Sequence, residues 1–165
     1  MSPDQPGTEA LRPLQPAVRT VWRIKAGLFW TLVFAGTAVA EVVWLLGGSG
    51  PVPFGWPMAF VFLFGTTWTI LQPHLRYRFW RFDLRSEELY LERGIITRVR
   101  TIVPLRRIQH LDVSQDVLER EFDLGELIVH TAGARSSEVV LPGLDYEEAQ
   151  KLRDTLNRYI LEDAV

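Results

Sequence analysis

Residues 26–46, AGLFWTLVFAGTAVAEVVWLL, restrict the fold more than any other part of this 165-residue chain. Glu41 is their one formally charged side chain, and no other follows before residue 76. A helix of this run has the roughly 20 residues needed to cross a hydrocarbon core of about 30 Å. After the turn-like, uncharged GGSGPVP comes a second apolar run, residues 54–71, FGWPMAFVFLFGTTWTIL. It is slightly short, but Val52 and Gln72 can extend it and modest mismatch is tolerated. The connector is too short for a domain, so the two runs are expected to form an antiparallel transmembrane hairpin whose backbone groups are satisfied internally.

Cation placement sets the expected orientation. Arg12, Arg19, Arg23 and Lys25 precede the first run, Arg76, Arg78 and Arg81 follow the second, and the connector has none. Both ends are therefore expected in the cytoplasm. Trp22, Trp44, Trp56 and Trp80 fall near the predicted interfaces, where amphipathic rings collect. Ala38-Val39-Ala40 has the form of a signal-peptidase site, but the apolar Val42–Leu46 stretch that follows continues a membrane helix rather than starting a polar mature chain. Residues 1–20, rich in Pro and Gln, read as a flexible cytoplasmic tail, residues 21–75 as the hairpin and residues 76–165 as a soluble domain.

An ionisable residue at membrane depth is a functional candidate by default. Glu41 lies about one and a half turns from the outer end at 3.6 residues per turn. It can snorkel outward or protonate, and the antiparallel neighbour offers no cation, so it is a candidate helix contact. Gly36 and Ala40 add a small-xxx-small pair that favours close helix packing.

Beyond Pro73 the period changes from helical to alternating. Arg78, Trp80, Phe82 and Leu84 share a face of a predicted first strand, ended by the turn Arg85-Ser86-Glu87-Glu88. Leu89 and Leu91 continue a second strand to Gly94; Thr97, Val99, Thr101 and Val103 give a third, stopped by Pro104. The fourth covers residues 108–113 with Leu111 and Val113 inward, and Ile108 out of phase marks a bulge or bend. Residues 116–122 read as a short helical turn. Residues 126–131 and 138–141 give two more strands across the loop 132–136. The end is an amphipathic helix, with Asp145 and Glu148 in a capping-box pattern and an apolar stripe of Ala149, Leu152, Leu156 and Ile160. Six or seven antiparallel strands and one closing helix describe an α+β fold, a small curved sheet or barrel with a helix over one opening.

Composition narrows the function. There is no cysteine, which removes disulfides, thiolate metal sites and cysteine nucleophiles. Net charge is −2 at pH 7, and from Arg76 onward 17 Asp and Glu oppose 14 Arg and Lys, a balance unlike that of a nucleic-acid binder.

Two segments carry a family resemblance: RRIQHLDVSQDVLEREFDLGELIVHTAG and VVLPGLDYEEAQKLRDTL. Over residues 76–160 they resemble the bacterial pleckstrin-homology domain class bPH2, formerly a domain of unknown function, and the preceding hairpin is similar to the arrangement of its YdbS-like membrane proteins. The resemblance implies a multi-pass protein of the bacterial cell membrane, with a strongly bent seven-strand barrel closed by a C-terminal helix. It implies no cofactor and supplies no activity. Eukaryotic lipid-binding members of the fold hold phosphoinositide phosphates with basic residues around the first inter-strand loop. Here that loop is mostly acidic, so specific phosphoinositide binding is not carried over.

His110, Asp112 and Ser114 recur at every second residue, as a nucleophile, a base and its orienter do. Same-face Cα atoms of a strand are roughly 6.6 Å apart, and parallel side chains at that spacing are not expected to converge as a triad must. His74, His110 and His130 are scattered and form no helical metal pair. Arg98 and Arg100 on one strand, with Arg106 and Arg107 in the following turn, are the candidate contacts for anionic headgroups or a partner.

The sequence therefore points to a non-enzymatic, membrane-anchored cytoplasmic adaptor. Its expected partners are copies of itself or another membrane protein of the class. The alternative is a sensor of anionic lipid or membrane stress that works through the arginines.

Overall fold

The computed structural model describes residues 11–48, 53–132 and 138–162, with side chains to residue 160. The chain separates into two compact units: residues 19–75, and residues 76–165 joined by the segment that ends at Val18.

In the first unit, α1 (Val18–Leu46) and α2 (Trp56–Phe79) pair in antiparallel fashion. Gly27 faces Thr69, Trp30 faces Gly65 and Phe64, and Phe34 faces Phe62, so contacts climb α1 as they descend α2. The Trp30 and Phe64 rings meet edge to face at 5.3 Å, a favoured aromatic geometry. Gly65 makes room for the indole, since a Cβ there would sit 3.0 Å from its ring atoms. Elsewhere the surface is apolar: Leu28, Phe29, Leu32, Val39, Phe60, Leu63 and Ile70 are all exposed. Among the described residues, α1 is the one helix long and apolar enough to cross a membrane. Two tryptophans, three threonines and two prolines dilute the corresponding run of α2.

Pro73 does not end α2, which runs on to Phe79 where alternation of residues 78–84 predicts strand. Arg76 and Arg78 fall in the last turn, where cations offset the negative end of the helix dipole.

In the second unit, β1 (Arg81–Leu84), β2 (Glu88–Arg93) and β3 (Val99–Pro104) form one antiparallel sheet in the order β1-β2-β3. A second sheet holds β4 (Ile108–Ser114), β5 (Leu124–Thr131) and β6 (Glu138–Asp145) in the order β4-β5-β6. The described residues thus give two sheets of three strands, where the resemblance implies one bent barrel of seven. The division falls where Pro104 withholds a backbone donor and the 3₁₀ turn Leu105–Arg107 redirects the chain. The irregularity expected near Ile108 is a register shift between Ile108 and His110.

Leu111, Leu127, Val129 and Leu141 point inward from the second sheet, and α4 (Tyr146–Glu162) lies against it with Ala149 and Leu156 fully buried. Full burial of one such leucine stabilises by about 1.5–3 kcal/mol. Asp145 caps α4 by accepting from Glu147 N–H at 3.1 Å.

Residues 104–107 are the joint between the sheets, and residues 115–123 join β4 to β5 within the second sheet. Within them, α3 (Val117–Glu121) is bounded by a complete capping box: Asp116 Oδ1 accepts from Glu119 N–H at 2.8 Å, and Glu119 Oε2 from Asp116 N–H at 3.0 Å. Asp123 then takes a left-handed conformation (φ 52°), and its carbonyl accepts from Tyr146 N–H, tying this joint to the start of α4.

The N-terminal segment departs from its expected role as flexible tail. Arg12 exchanges two backbone hydrogen bonds with Phe82 at the free edge of β1, Gln15 N–H donates to Gly143 carbonyl, and Leu14 and Val18 are buried. Gly143 adopts φ +64°, and a Cβ there would meet Val18 at 2.6 Å. A proline-rich extended strap needs no periodicity to dock, which is why composition alone suggests disorder. Residues 1–10 and 133–137, most of the predicted 132–136 loop, lie outside the described residues.

Two of the four tryptophans placed at membrane interfaces, Trp44 and Trp56, are exposed. Trp22 and Trp80 are instead buried, and Trp80 belongs to the β-rich unit.

Candidate functional site

The polar face of β4 carries His110, Asp112 and Ser114, with Leu111 on the core side. Strand register places His130 of β5 directly opposite His110, and Glu138 of β6 opposite His130. Asp112 lies between the two imidazoles: His110 Nε2 is 2.9 Å from Oδ1 and His130 Nε2 is 3.2 Å from Oδ2. The rings lie 5.8 Å apart. The expectation that side chains two apart on a strand stay parallel therefore fails for His110 and Asp112, because strand side chains lean along the strand and close the gap. His130 is the member that sequence reasoning missed, being 18 positions from Asp112 and brought in only by register.

Among the described residues, Ser114 has no hydrogen bond to either histidine or to Asp112, and no group of three or more His, Cys, Asp or Glu is arranged to hold a metal ion. With side chains 35–69% exposed, the cluster is a solvent-screened clasp between β4 and β5.

The four candidate arginines are all exposed but do not form one patch. Arg98 and Arg100 stand at the start of β3, and Arg106 and Arg107 follow its end. The strand between them spans roughly 16 Å at about 3.3 Å per residue, so they make two separate pairs. Arg100 lies 3.8 Å from Glu92 across the sheet, a loose pairing.

The first inter-strand turn is chemically occupied. Arg85 donates to Glu88 at 2.8 Å and to Asp83 at 3.4 Å, and its guanidinium lies 4.7 Å from the Tyr90 ring centre. The hydrogen bond to Glu88 is the main reason its pKa rises above the ordinary arginine value. This cation is already neutralised within the fold.

In the helical unit, Glu41 is 3% exposed and both its oxygens are used. Oε2 accepts from Gly55 N–H at 3.0 Å and Oε1 from Met58 N–H at 3.0 Å. The carboxylate of α1 thus satisfies amides at the start of α2, where the helix dipole supplies the positive potential that no cation provides.

The family model of the bacterial PH domain, bPH_2, matches residues 24–160, which includes both helices as well as the β-rich unit. The chain belongs to this bacterial PH domain family. The match begins well before Arg76, so the family model spans most of α1 and all of α2 as well as the β-rich unit. UPF0699 transmembrane protein YdbS of Bacillus subtilis (strain 168) is 32% identical over 112 residues, covering 64% of this chain and 69% of the relative. UPF0699 transmembrane protein YdbT of the same organism is 24% identical over 115 residues, and there the chain spans only 23% of the relative's length. No solved structure matches the chain. The names of both relatives and the apolar length of α1 support membrane localisation for this PH domain protein.

Proposed function

We propose that this chain is a non-enzymatic adaptor, held by a two-span helical hairpin at the cytoplasmic face of a bacterial membrane. The observation that carries the reading is the inverted burial of the helical unit: its one carboxylate is enclosed and its large apolar side chains face out, as a lipid solvent favours. Anchorage concentrates the PH-like domain at the surface without requiring it to recognise a headgroup. The internal use of Arg85 supports the same view. The partner is a second copy or another member of the class.

Cross-linking and affinity capture of the full chain from native membranes tests the reading. It is expected to recover a second copy or a class member, and recovery of the chain alone contradicts it. Glu41→Ala, run alongside, separates assembly through the helices from assembly through the domain.

The exposure of Arg98 and Arg100 favours a second reading, sensing of anionic lipid. Salt-sensitive retention on anionic vesicles, lost when Arg98, Arg100, Arg106 and Arg107 are replaced, would favour it over the adaptor. The full chain is required, because a fragment starting at Arg76 lacks the docked strap.

A further inference from the structure

The turn between β2 and β3 reads Arg93-Gly94-Ile95-Ile96-Thr97-Arg98 and holds the most exposed large apolar side chain of the described residues. Ile96 is 98% exposed and Ile95 41%, with Val99 at 42% beside them. A soluble domain gains nothing by presenting two β-branched aliphatics at a hairpin tip, where turn residues are ordinarily small or polar. Their exposure is built into the turn. Gly94 has φ +116°, and a Cβ there would collide with the Thr97 carbonyl, so only glycine closes this hairpin with the isoleucines outermost.

The surroundings specify what the tip meets. From Arg93 to Pro104 the chain contains Arg93, Arg98 and Arg100 and no acidic residue. Arg93 also lies over the Trp80 ring, 5.9 Å from its centre, and Glu92 is the one nearby acid that the ion pairs place at Arg100. An apolar tip behind a collar of guanidinium groups is complementary to a layered target, negative at the surface and apolar a few ångströms below. Guanidinium binds phosphate oxygens in bidentate fashion, and an aliphatic pair fits the boundary between headgroup and acyl chain. A protein surface would have to present an acidic rim around an apolar hole, whereas an anionic bilayer has this layering everywhere.

We propose that the Ile95–Ile96 tip inserts into an anionic phospholipid surface, with Arg93, Arg98 and Arg100 bound to the phosphates around it. This gives the domain a second membrane contact besides its helices. The inference rests on the membrane anchorage proposed above and is independent of the adaptor role.

The chain has no cysteine, so one introduced thiol reports one site. Full-length chain carrying Ile96→Cys, labelled with an environment-sensitive fluorophore, is placed in nanodiscs of phosphatidylcholine alone or with about one third phosphatidylglycerol, with and without nitroxide-bearing lipid. Expected are a blue shift and nitroxide quenching in the anionic discs. The ratio of lipid-quenched to free probe should fall roughly tenfold or more in high salt or with Arg98→Glu plus Arg100→Glu. Leu32→Cys on α1 reports anchorage, and the exposed Val117→Cys reports non-specific adsorption of the domain. Quenching at Leu32 but not at Ile96 overturns the proposal and leaves anchorage standing; quenching at neither overturns both. Equal quenching at Val117 and Ile96 overturns it as adsorption without a specific tip. A probe at Ile96 that is shielded from aqueous iodide but not quenched by lipid nitroxide overturns it in favour of a protein contact.

Discussion

The helical unit and the β-rich unit solve opposite burial problems. In the helices, Leu32, Val39, Phe60 and Leu63 are exposed and Glu41 is enclosed; in the β-rich unit, Leu89, Leu127, Leu141 and Leu156 are enclosed while His110 and Asp112 face out. One chain thus carries two cores with reversed polarity. The difference fits the two surroundings proposed for the units: water drives leucine inward, whereas hydrocarbon leaves leucine indifferent and drives an unmet carboxylate or amide inward. The same principle explains the contrast between two carboxylates. Glu41 is fully engaged by helix-start amides, while the half-exposed Asp112 meets two imidazoles that water can equally well serve.

The β-rich core should respond most strongly to truncation. Leu156→Ala should cost about 2–5 kcal/mol, while Leu32→Ala on the exposed face of α1 should change stability by less than about 0.5 kcal/mol. Denaturant unfolding of both variants in nanodiscs checks the contrast, and equal losses would break it. Next is Glu41→Ala, which leaves the Gly55 and Met58 amides without their acceptor and should cost about 1–3 kcal/mol. Faster proteolysis at the connector between the helices is the readout, and Glu41→Gln should restore part of the protection. Gly65→Ala forces the Trp30 ring to move and should cost about 1–3 kcal/mol as overpacking, measured as a lower thermal midpoint of the helical unit. The smallest change is expected from Asp112→Asn, below about 1 kcal/mol for so exposed a clasp. Nuclear magnetic resonance of the His110 and His130 side chains would register the loss even where unfolding does not.

Patterns with short periods were legible in the sequence: the apolar run of α1, the buried Ala149 and Leu156 of α4, the inward Leu111, and the break at Ile108, whereas Val113, also expected inward, is only half-buried. Each depends on neighbours within a few positions. The features that escaped it depend on distant ones. Gln15 and Val18 dock against Gly143, more than a hundred residues away, with no periodicity to announce it. Asp112 meets His130 only through strand register. Glu41 caps a helix that starts 15 residues later. The Asp116–Glu119 box is local, and its D-x-x-E spacing is a cap signal inside the segment that reads as a helical turn. Pro73 misled in the other direction, since a helix can continue through proline when its neighbours supply enough stability. The arginines were visible as residue types, but strand length, not sequence spacing, divides them into two pairs.

The proposed anchor is a hairpin that crosses the membrane twice and leaves the domain inside. Because the chain has no cysteine, Pro53→Cys in the connector and Val117→Cys in the domain can each be probed with a membrane-impermeant maleimide in intact cells. Pro53→Cys is expected to react from outside and Val117→Cys only after the membrane is opened. Reaction of both sites from the same side would contradict it.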